Sequence, residues 1–110
     1  AGAGASSRIS VDEATGHMPA YGKVAGVAVV GNEDGAHHVC AEVFQALVDV
    51  GFTVPASAST YWVGEAMGST NYVDLERTPE KTAGTTRTLA RLTAHLAGLL
   101  KASAYPSTKG

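Results

Sequence analysis

Cysteine, clustered basic residues and long apolar runs are all scarce in this sequence. The single cysteine, Cys40, cannot form a disulfide within the chain, which agrees with a reducing compartment. The 8 Lys and Arg residues are scattered and the net charge is -2, so no basic stripe is present for a row of phosphates and nucleic acid is not an expected partner. The longest apolar run, residues 24–30, is far shorter than the roughly 20 residues of a membrane-spanning helix, and no signal-peptide pattern is found. We therefore expect a soluble, cytoplasmic protein.

Length and composition indicate one globular domain. The chain has 110 residues, of which 45% are hydrophobic and 16% are charged. Residues 1–22 are rich in Gly, Ala and Ser and show neither a helical nor a strand period, so we interpret them as a flexible N-terminal segment. Residues 23–106 are expected to form the domain, and residues 107–110 a tail.

Residues 23–50 predict a strand, a polar turn and a helix. Small or β-branched apolar side chains occupy both faces of residues 24–30, a pattern typical of a parallel strand that is covered on both sides. From Ala36 onward the spacing of apolar residues becomes helical. The stripe on that helix consists of Cys40, Val43, Phe44 and Leu47. Asp34 is the expected N-cap, and Gly51 is the expected residue just beyond the helix.

A second strand and a second helix are predicted downstream. Polar and apolar residues alternate over residues 52–59, and Pro55 indicates a strand at the edge of the sheet. Residues 60–77 are expected to form a long loop. Thr78 as cap, Pro79 as first helical residue and Glu80 behind it predict the start of the final helix. Its buried stripe is predicted to contain Leu89, Leu92, Leu96, Leu99 and Leu100, with Lys101 in the last turn.

The predicted order of elements is that of an α/β fold with a parallel sheet. A strand, a helix and a strand joined by a crossover of this length form a right-handed βαβ unit, which the last helix extends to βαβα. Two strands alone leave one long edge without hydrogen-bond partners. We expect further strands from another chain, from a second copy or from the rest of a larger sheet, and we expect the chain by itself to associate or to fold poorly.

Residues 22–69, GKVAGVAVVGNEDGAHHVCAEVFQALVDVGFTVPASASTYWVGEAMGS, resemble the C-terminal half of the flavodoxin-like NADPH-dependent FMN reductase (NAD(P)H-dependent oxidoreductase) family. The resemblance runs from about Met18 to Pro106, and its most specific part is the GNEDGAHH turn followed by FTVP and TYW. In that family the sheet order is 2-1-3-4-5, so these residues would be strands 4 and 5 with the helices that follow them. The resemblance implies FMN at the carboxyl ends of the strands, with hydride taken from NAD(P)H and passed to a quinone or a similar acceptor.

The turn of residues 31–37 is the predicted flavin contact. Its amides can hydrogen-bond the O2, N3 and O4 edge of an isoalloxazine ring, and its glycines permit close approach. The alternative is a capped turn in which polar side chains merely satisfy amides. Tyr61 and Trp62 would stack on the ring or line a subunit contact, or else form a lid over the domain's own edge. The predicted cofactor-binding residues are Gly31, Asn32, Glu33, Asp34, Gly35, Ala36, His37, Tyr61 and Trp62, and no catalytic side chain is assigned.

The family's phosphate-binding loop has no counterpart in the sequence. Residues 6–10, SSRIS, resemble such a loop superficially, but no apolar strand precedes them. A partner chain that carries the first half of the domain is the simplest supplier of the phosphate site. The competing hypothesis is a non-enzymatic assembly subunit or fragment, which pairs through its exposed strand edge and binds no flavin alone.

A metal centre is not expected from the polar residues of the turn and helix. The candidate ligands are Glu33, Asp34, His37, His38, Cys40 and Glu42. His37 and His38 are adjacent, so on a helix they point about 100° apart and do not form the i, i+4 pair that holds one ion. Cys40 lies on the apolar stripe and is interpreted as a small core residue, and His95 as a surface or boundary residue.

Overall fold

The computed structural model describes residues 10–31, 34–65 and 68–110. Two strands and two helices alternate along the chain: β1 (Val27–Gly31), α1 (Ala36–Asp49), β2 (Ser59–Val63) and α2 (Glu80–Ala102), with a 3-10 turn at Tyr72–Asp74 between the last two. The strands are parallel, with Val27 opposite Ser59 and Gly31 opposite Val63. The predicted α/β class, a flavodoxin-like βαβα portion, is confirmed. No helix in the described part of the chain is long and apolar enough to cross a membrane.

Helix α1 buries one stripe and is closed at its C-terminal end by glycine. Cys40 is 2% exposed, and Phe44 and Leu47 are half-buried, as the helical spacing predicts. Val43 is 38% exposed, which corrects its predicted place in the stripe. Gly51 has a φ of 107°, and its amide donates to Val48 O at 3.0 Å while the Phe52 amide donates to Leu47 O at 3.0 Å. This pair of bonds is a Schellman motif, so the predicted role of Gly51 is confirmed.

The predicted N-cap of α1 is wrong by one residue. Gly35, not Asp34, is the N-cap, with φ 108° and ψ 0°, and no side chain caps the helix. The Asp34 carboxylate accepts the amide hydrogen of Gly35 at 2.8 Å instead. Because its carboxylate oxygen accepts from the amide of the next residue, Asp34 does not cap the first turn.

Strand β2 begins later than the alternating pattern predicts. Within residues 52–58 only a single bridge forms, between Thr53 and Val24, and residues 56–57 form a turn in which Ser57 has a φ of 53°. Pro55 has no amide to donate, and the left-handed Ser57 bends the chain away from a ladder. The strand therefore occupies Ser59–Val63, so Tyr61 and Trp62 lie in β2 and not in the loop predicted behind it.

Helix α2 begins and packs nearly as predicted. Its N-cap is Pro79 and its first residue is Glu80, so Thr78 is not the cap. Leu89, Leu92, Leu96 and Leu100 are half-buried, and Lys101 lies in the last turn. Leu99 is 53% exposed, which corrects its predicted place in the buried stripe.

The two helices lie on opposite sides of the sheet. Thr60 of β2 hydrogen-bonds to α2, whereas Tyr61, the next residue, contacts His37 of α1. Directly paired residues of neighbouring strands share a face, so Ala28 and Val30 lie on the α2 side with Thr60 and Trp62. Both are exposed, Val30 at 60%, while Val27 on the α1 side is buried. The expectation that β1 is covered on both faces is therefore wrong for the described chain, since only the α1 side is covered.

The segments at the two ends of the described chain are hydrogen-bonded to each other. The His17 imidazole donates through Nε2 to Pro106 O at 2.8 Å, and the Thr108 amide donates to Thr15 O at 2.8 Å. Tyr21 makes an edge contact with Tyr105, with ring centroids 6.0 Å apart. The division into a flexible segment 1–22, the C-terminal half of a flavodoxin-like domain over residues 23–106 and a tail 107–110 stays a prediction. The bonds just described link the first and last of these parts.

Candidate functional site

The carboxyl ends of β1 and β2 define one rim of the molecule. The Gly64 amide donates to Gly31 O at 2.9 Å, which holds the two strand ends side by side. Strand β1 ends at this rim and α1 begins here at Ala36, so the described residues of the predicted turn, 31 and 34–37, lie here. Among the predicted site residues, Asn32 and Glu33 lie outside the described residues. Residues 6–9 of the SSRIS segment also lie outside them.

The start of α1 presents backbone donors that no side chain of its own N-cap satisfies. The first bond of the helix runs from the Val39 amide to Gly35 O at 2.9 Å. The amides of Ala36, His37 and His38 therefore precede the first intrahelical donor and have no acceptor within the helix. A Cβ atom built on Gly35 would meet nothing within 4 Å, so the space above this turn is open. An acceptor could approach these amides closely.

The ionisable side chains near this turn, among the described residues, are carboxylates and histidines. Asp34 is exposed beside the helix start, and His38 Nε2 lies 3.3 Å from Glu42 Oε1 on the exposed side of the first turns. No Lys or Arg makes an ion pair in the turn among the residues that the structure describes. The positive end of the helix dipole is thus offset by a carboxylate, which suits a neutral polar edge better than a phosphate dianion.

Two aromatic pairs flank the strand ends, one on each side of the sheet. On the α1 side the rings of His37 and Tyr61 lie 6.2 Å apart at 63°. On the α2 side the rings of Trp62 and Tyr72 lie 5.5 Å apart at 59°. Tyr61 and Trp62 therefore do not present one joint surface, because successive strand residues point to opposite faces. The structure brings Tyr61 to the predicted turn and directs Trp62 to the other side.

A cluster of hydroxyl groups joins β2 to the start of α2. Thr60, 8% exposed, places its Oγ1 2.8 Å from Thr85 Oγ1 and 2.9 Å from Thr86 Oγ1. The Thr85 and Thr86 hydroxyls donate to Thr82 O at 3.1 and 2.7 Å. The cluster fixes the N-terminal turns of α2 against the strand that carries Tyr61 and Trp62.

An open cleft of about 870 Å³ follows the outer edge of β2 and the start of α2. It is bordered by both rim aromatics of β2 and by several hydroxyl side chains. Its lining includes His37, Ser59, Tyr61, Trp62, Thr82 and Thr85. The cleft begins at the rim, so a ligand beside the turn of α1 has room to extend along β2.

Sequence reasoning missed Tyr72 and the threonine cluster. Tyr72, ten residues after Trp62 in the sequence, contacts it from a 3-10 turn that no periodic pattern predicts. Thr82, Thr85 and Thr86 do carry a signal, because their spacing of i, i+3 and i+4 places three hydroxyls on one helical face. Cys40, by contrast, was predicted correctly: it is 2% exposed and lies in the core, as its place on the apolar stripe predicts.

No protein-family model matches the chain. It is 38% identical over 92 residues to 8-demethyl-8-aminoriboflavin-5'-phosphate synthase of Streptomyces davaonensis, a match that covers 83% of this chain. The chain is homologous to that enzyme. The crystal structure of RosB with the bound intermediate 8-demethyl-8-formylriboflavin-5'-phosphate superposes with a TM-score of 0.78 at 36% identity, over 87% of this chain. The homology supports the flavin-related part of the predicted resemblance; the reductase family itself stays a prediction.

The chain spans little more than a third of these proteins. The matches cover 36% of the synthase and 38% of the crystallised RosB chain. A third match, 37% identical over 59 residues, is to the divalent metal cation transporter MntH of Mycobacterium bovis and covers 9% of that protein. So small a share of the transporter carries no argument about transport. No group of three or more His, Cys, Asp or Glu side chains is arranged to hold a metal ion within residues 10–31, 34–65 and 68–110.

Proposed function

We propose that this chain is the ring-binding, C-terminal portion of a flavodoxin-like enzyme that works on FMN. The observation that carries the proposal is the start of α1, where backbone amides face open space above Gly35 at the carboxyl end of a parallel strand. The homology to an enzyme named for a riboflavin 5'-phosphate product supports it. In this proposal Gly31, Asp34, Gly35, Ala36 and His37 lie beside the isoalloxazine ring.

The described residues suit the ring of FMN better than its phosphate. Ring carbonyls are neutral acceptors that match the amides of the first turn, and the Asp34 carboxylate can accept from a ring N–H. A phosphate dianion would meet Asp34 at the start of α1 and Glu80 at the start of α2, where Pro79 also lacks an amide. We infer that the phosphate is held by residues beyond the described rim.

The reaction we propose is NAD(P)H-dependent reduction of a quinone or a flavin. FMN supplies the hydride chemistry when it is bound. The chain's own residues would orient the ring through the amides of α1 and cover it from the α1 side with His37 and Tyr61. Trp62, which lines the cleft along β2 and contacts Tyr72 on the α2 side, would limit access to the cleft.

A second candidate is an enzyme for which flavin is the substrate. It is favoured by the relative's name and by the flavin intermediate bound in the similar crystal structure. The amides of α1 would serve both reactions, because each requires the ring to be held at one edge. A subunit that assembles and binds no flavin is the remaining alternative.

Flavin titration tests the proposal directly. FMN and riboflavin are added to the 110-residue chain, alone and together with the part of the Streptomyces davaonensis synthase that this chain does not match, and quenching of flavin fluorescence is measured. We expect the chain alone to show no preference for FMN over riboflavin, because the described residues of its rim suit the ring and not the phosphate, and the complemented form to prefer FMN. Binding of neither flavin by the complemented form would contradict the proposal.

The two reactions are separated by their products. Anaerobic bleaching of the bound flavin by NADPH, with an unchanged flavin mass after reoxidation, supports the reductase. A change in flavin mass supports the flavin-modifying alternative. Gly35→Val should weaken flavin binding because its side chain would occupy the open space at the start of α1. The matched control is Gly22→Val, which adds the same side chain at a position that also has a positive φ and open space.

A further inference from the structure

We infer that a pocket at the amino end of the sheet binds a neutral compound with one aromatic ring and an oxygen acceptor, such as an aromatic ketone. The pocket has a volume of about 330 Å³ and lies beside the bridge of Thr53 with Val24, at the opposite end of the sheet from the proposed flavin contact. Pockets that bind small molecules typically start at about 300 Å³, so this one has room for a single ring. The inference does not rest on flavin binding.

Three segments that are far apart in the sequence contribute to the pocket. The first precedes β1 and contains Met18 and Tyr21. The second, residues 48–53, runs from the last turns of α1 to the bridge with Val24. The third, residues 105–108, follows α2. The pocket is therefore a product of the tertiary fold and not of one local turn.

Hydrogen bonds hold these segments in place without a ligand. The Thr53 amide donates to Lys23 O at 3.0 Å, which anchors the second segment beside the first. The His17 imidazole donates to Pro106 O, and the Thr108 amide donates to Thr15 O, so the third segment is bonded to the residues that precede the first. A pocket that is formed before its ligand arrives loses less conformational entropy on binding.

Aromatic rings line much of the pocket. Tyr21 and Tyr105 make an edge contact, with ring planes at 69°, and Phe52 adds a third ring. Two contacts hold the Tyr21 ring: His17 stacks on it at 4.8 Å, and a Cβ atom on Gly51 would lie 2.8 Å from Tyr21 Cδ1. Rings at a steep angle present both a face and an edge, and an aromatic ligand has a favourable geometry with each. The lining therefore suits an aromatic ring better than a flexible aliphatic chain.

The lining of the pocket is neutral. Among the described residues that border it, none carries a carboxylate, an ammonium, a guanidinium or an imidazole group. A charged ligand would lose its hydration here without gaining an ion pair. The matching ligand is therefore uncharged.

A pair of hydroxyl groups on the lining provides the polar contact. Thr53 Oγ1 and Tyr105 OH lie 2.5 Å apart, and either one can be the donor. The pair has two hydroxyl hydrogens and this bond uses one of them, so one hydrogen is left to donate. An oxygen acceptor attached to the ring, such as a ketone carbonyl, matches that hydrogen. Removal of either hydroxyl alone still leaves the other to donate.

A side chain from a second copy of the chain is the competing occupant. Val48 and Tyr105 border the pocket and are 53% and 39% exposed, so the pocket is accessible from outside. Binding of a small molecule does not depend on protein concentration, whereas occupation by a second copy does. The test therefore includes a dilution series.

The test is a titration of the full 110-residue chain with acetophenone, without flavin, followed through amide chemical shifts in NMR. We expect saturable shifts at Gly51, Phe52 and Thr53, and none at Ala36 or His37 of the rim. Benzoate has the same ring with a charge, and it should bind at least about tenfold more weakly because the lining offers no cation.

One pair of variants tests the location. Val48→Phe enlarges a side chain at the pocket and should weaken acetophenone binding at least about tenfold. Val39→Phe is the matched control, because it makes the same change at an exposed residue of α1 that does not border the pocket, and it should leave binding unchanged.

A second set of variants tests the polar contact. Thr53→Val combined with Tyr105→Phe removes both hydroxyls together, so no partner is left unpaired. This double variant should bind acetophenone about fivefold more weakly and should bind ethylbenzene, which has no oxygen, as before. Tyr105→Phe alone keeps one hydroxyl and should lose less acetophenone affinity than the double variant.

Four results would overturn the inference: no saturable shift at residues 51–53, shifts at the rim instead, equal effects of Val48→Phe and Val39→Phe, or a double variant that changes acetophenone and ethylbenzene binding alike. Shifts at residues 51–53 that follow protein concentration in the absence of ligand would overturn it as well, since a second copy would then fill the pocket. Circular dichroism establishes that each variant retains its helices. Flavin is absent throughout, so failure of the proposed function would leave these results unchanged.

Discussion

The amino and carboxyl ends of the sheet differ in how far the chain satisfies its own polar groups. At the amino end, the chain satisfies its own polar groups: the Schellman bonds close α1, and His17, Thr15 and Thr108 link the terminal segments. At the carboxyl end, neither α1, nor α2, nor the 3-10 turn has a side-chain cap. Parallel α/β sheets bind ligands at the carboxyl end, so the uncapped groups lie where a ligand would use them. The difference indicates that one end stabilises the fold while the other is kept available.

The glycines at the two ends of α1 differ in packing in the same way. At the amino end, a Cβ on Gly51 would lie 2.8 Å from Tyr21 Cδ1, whereas a Cβ on Gly35 at the carboxyl end would meet nothing within 4 Å. Both glycines have nearly the same φ, 107° and 108°. They therefore form a matched pair in which the backbone requirement is similar and only the surroundings differ.

The largest expected effect comes from replacing these two glycines by alanine. Each substitution carries a left-handed backbone cost of roughly 1–2 kcal/mol. Gly51→Ala should add an overpacking cost of about 1–3 kcal/mol against Tyr21, while Gly35→Ala should not. Urea unfolding followed by circular dichroism measures both free energies of unfolding. Equal losses would mean that the amino end is not packed more tightly than the rim.

The two glycine substitutions should affect flavin affinity in the reverse order, with the larger effect at Gly35. Gly35→Ala is expected to weaken FMN binding to the complemented protein, because the added methyl group stands beside the amides of the first turn. Gly51→Ala should leave the FMN dissociation constant unchanged under conditions where it is folded. A loss of affinity in Gly51→Ala alone would reverse the functional assignment of the two ends.

A smaller effect is expected at the threonine cluster that supports the rim. Thr60→Val keeps the shape of the side chain and removes the hydroxyl that bridges Thr85 and Thr86. Those two hydroxyls still donate to Thr82 O, so no buried donor is left unpaired, and the expected loss is about 1 kcal/mol. The control is Thr88→Val, at an exposed position of α2, which should change stability by less than about 0.5 kcal/mol. Thermal unfolding of both variants measures the difference, and a neutral Thr60→Val would show that the cluster does not stabilise α2 on β2.

Local signals in the sequence predicted local structure well. The role of Gly51 depends on the residues immediately before it, so it could be predicted from the sequence. Helical spacing likewise predicted three of the four residues in the stripe of α1, while Val43 is exposed. The N-cap was harder because Asp34 and Gly35 are both residue types that helices accept at that position. The choice between them depends on a bond from the Gly35 amide to Asp34, which sequence spacing does not show.

Features that depend on several segments at once could not be predicted. The alternation of residues 52–59 suited a strand, but Pro55 and the left-handed Ser57 removed them from the ladder, and β2 moved to residues that were expected to be a loop. The contact of Trp62 with Tyr72, and the opposite facing of Tyr61, follow from that shift. The candidate turn itself was found, because an apolar strand followed by a glycine-rich turn and a helical stripe is a local pattern; its flavin contacts stay a prediction.

The smallest expected effect concerns pH and the amino end. The Asp12 carboxylate accepts the Thr15 amide, the Thr15 hydroxyl and the Ala14 amide, which lowers the pKa of Asp12 below 3.8. Because the pKa is lower in the folded state, the ionised carboxylate stabilises this turn at pH values above 3.8, and the stabilisation is lost as the pH falls through the folded pKa. Asp12 is fully exposed, so the effect should be local.

Carbon-13 NMR of the Asp12 carboxyl group, followed as the pH is lowered, measures this pKa. Hydrogen exchange at the Thr15 amide should lose protection over the same range once the pH dependence of the intrinsic exchange rate is corrected for. Asp12→Asn keeps a weaker side-chain acceptor but cannot titrate. In this variant the protection of the Thr15 amide should therefore not change over the pH range in which Asp12 of the unsubstituted chain is protonated. The rim, which contains none of these bonds, should keep its exchange pattern through this transition. If the amides of α1 opened together with Thr15, the two ends of the sheet would have to be regarded as one cooperative unit and not as a stabilising end and an available one.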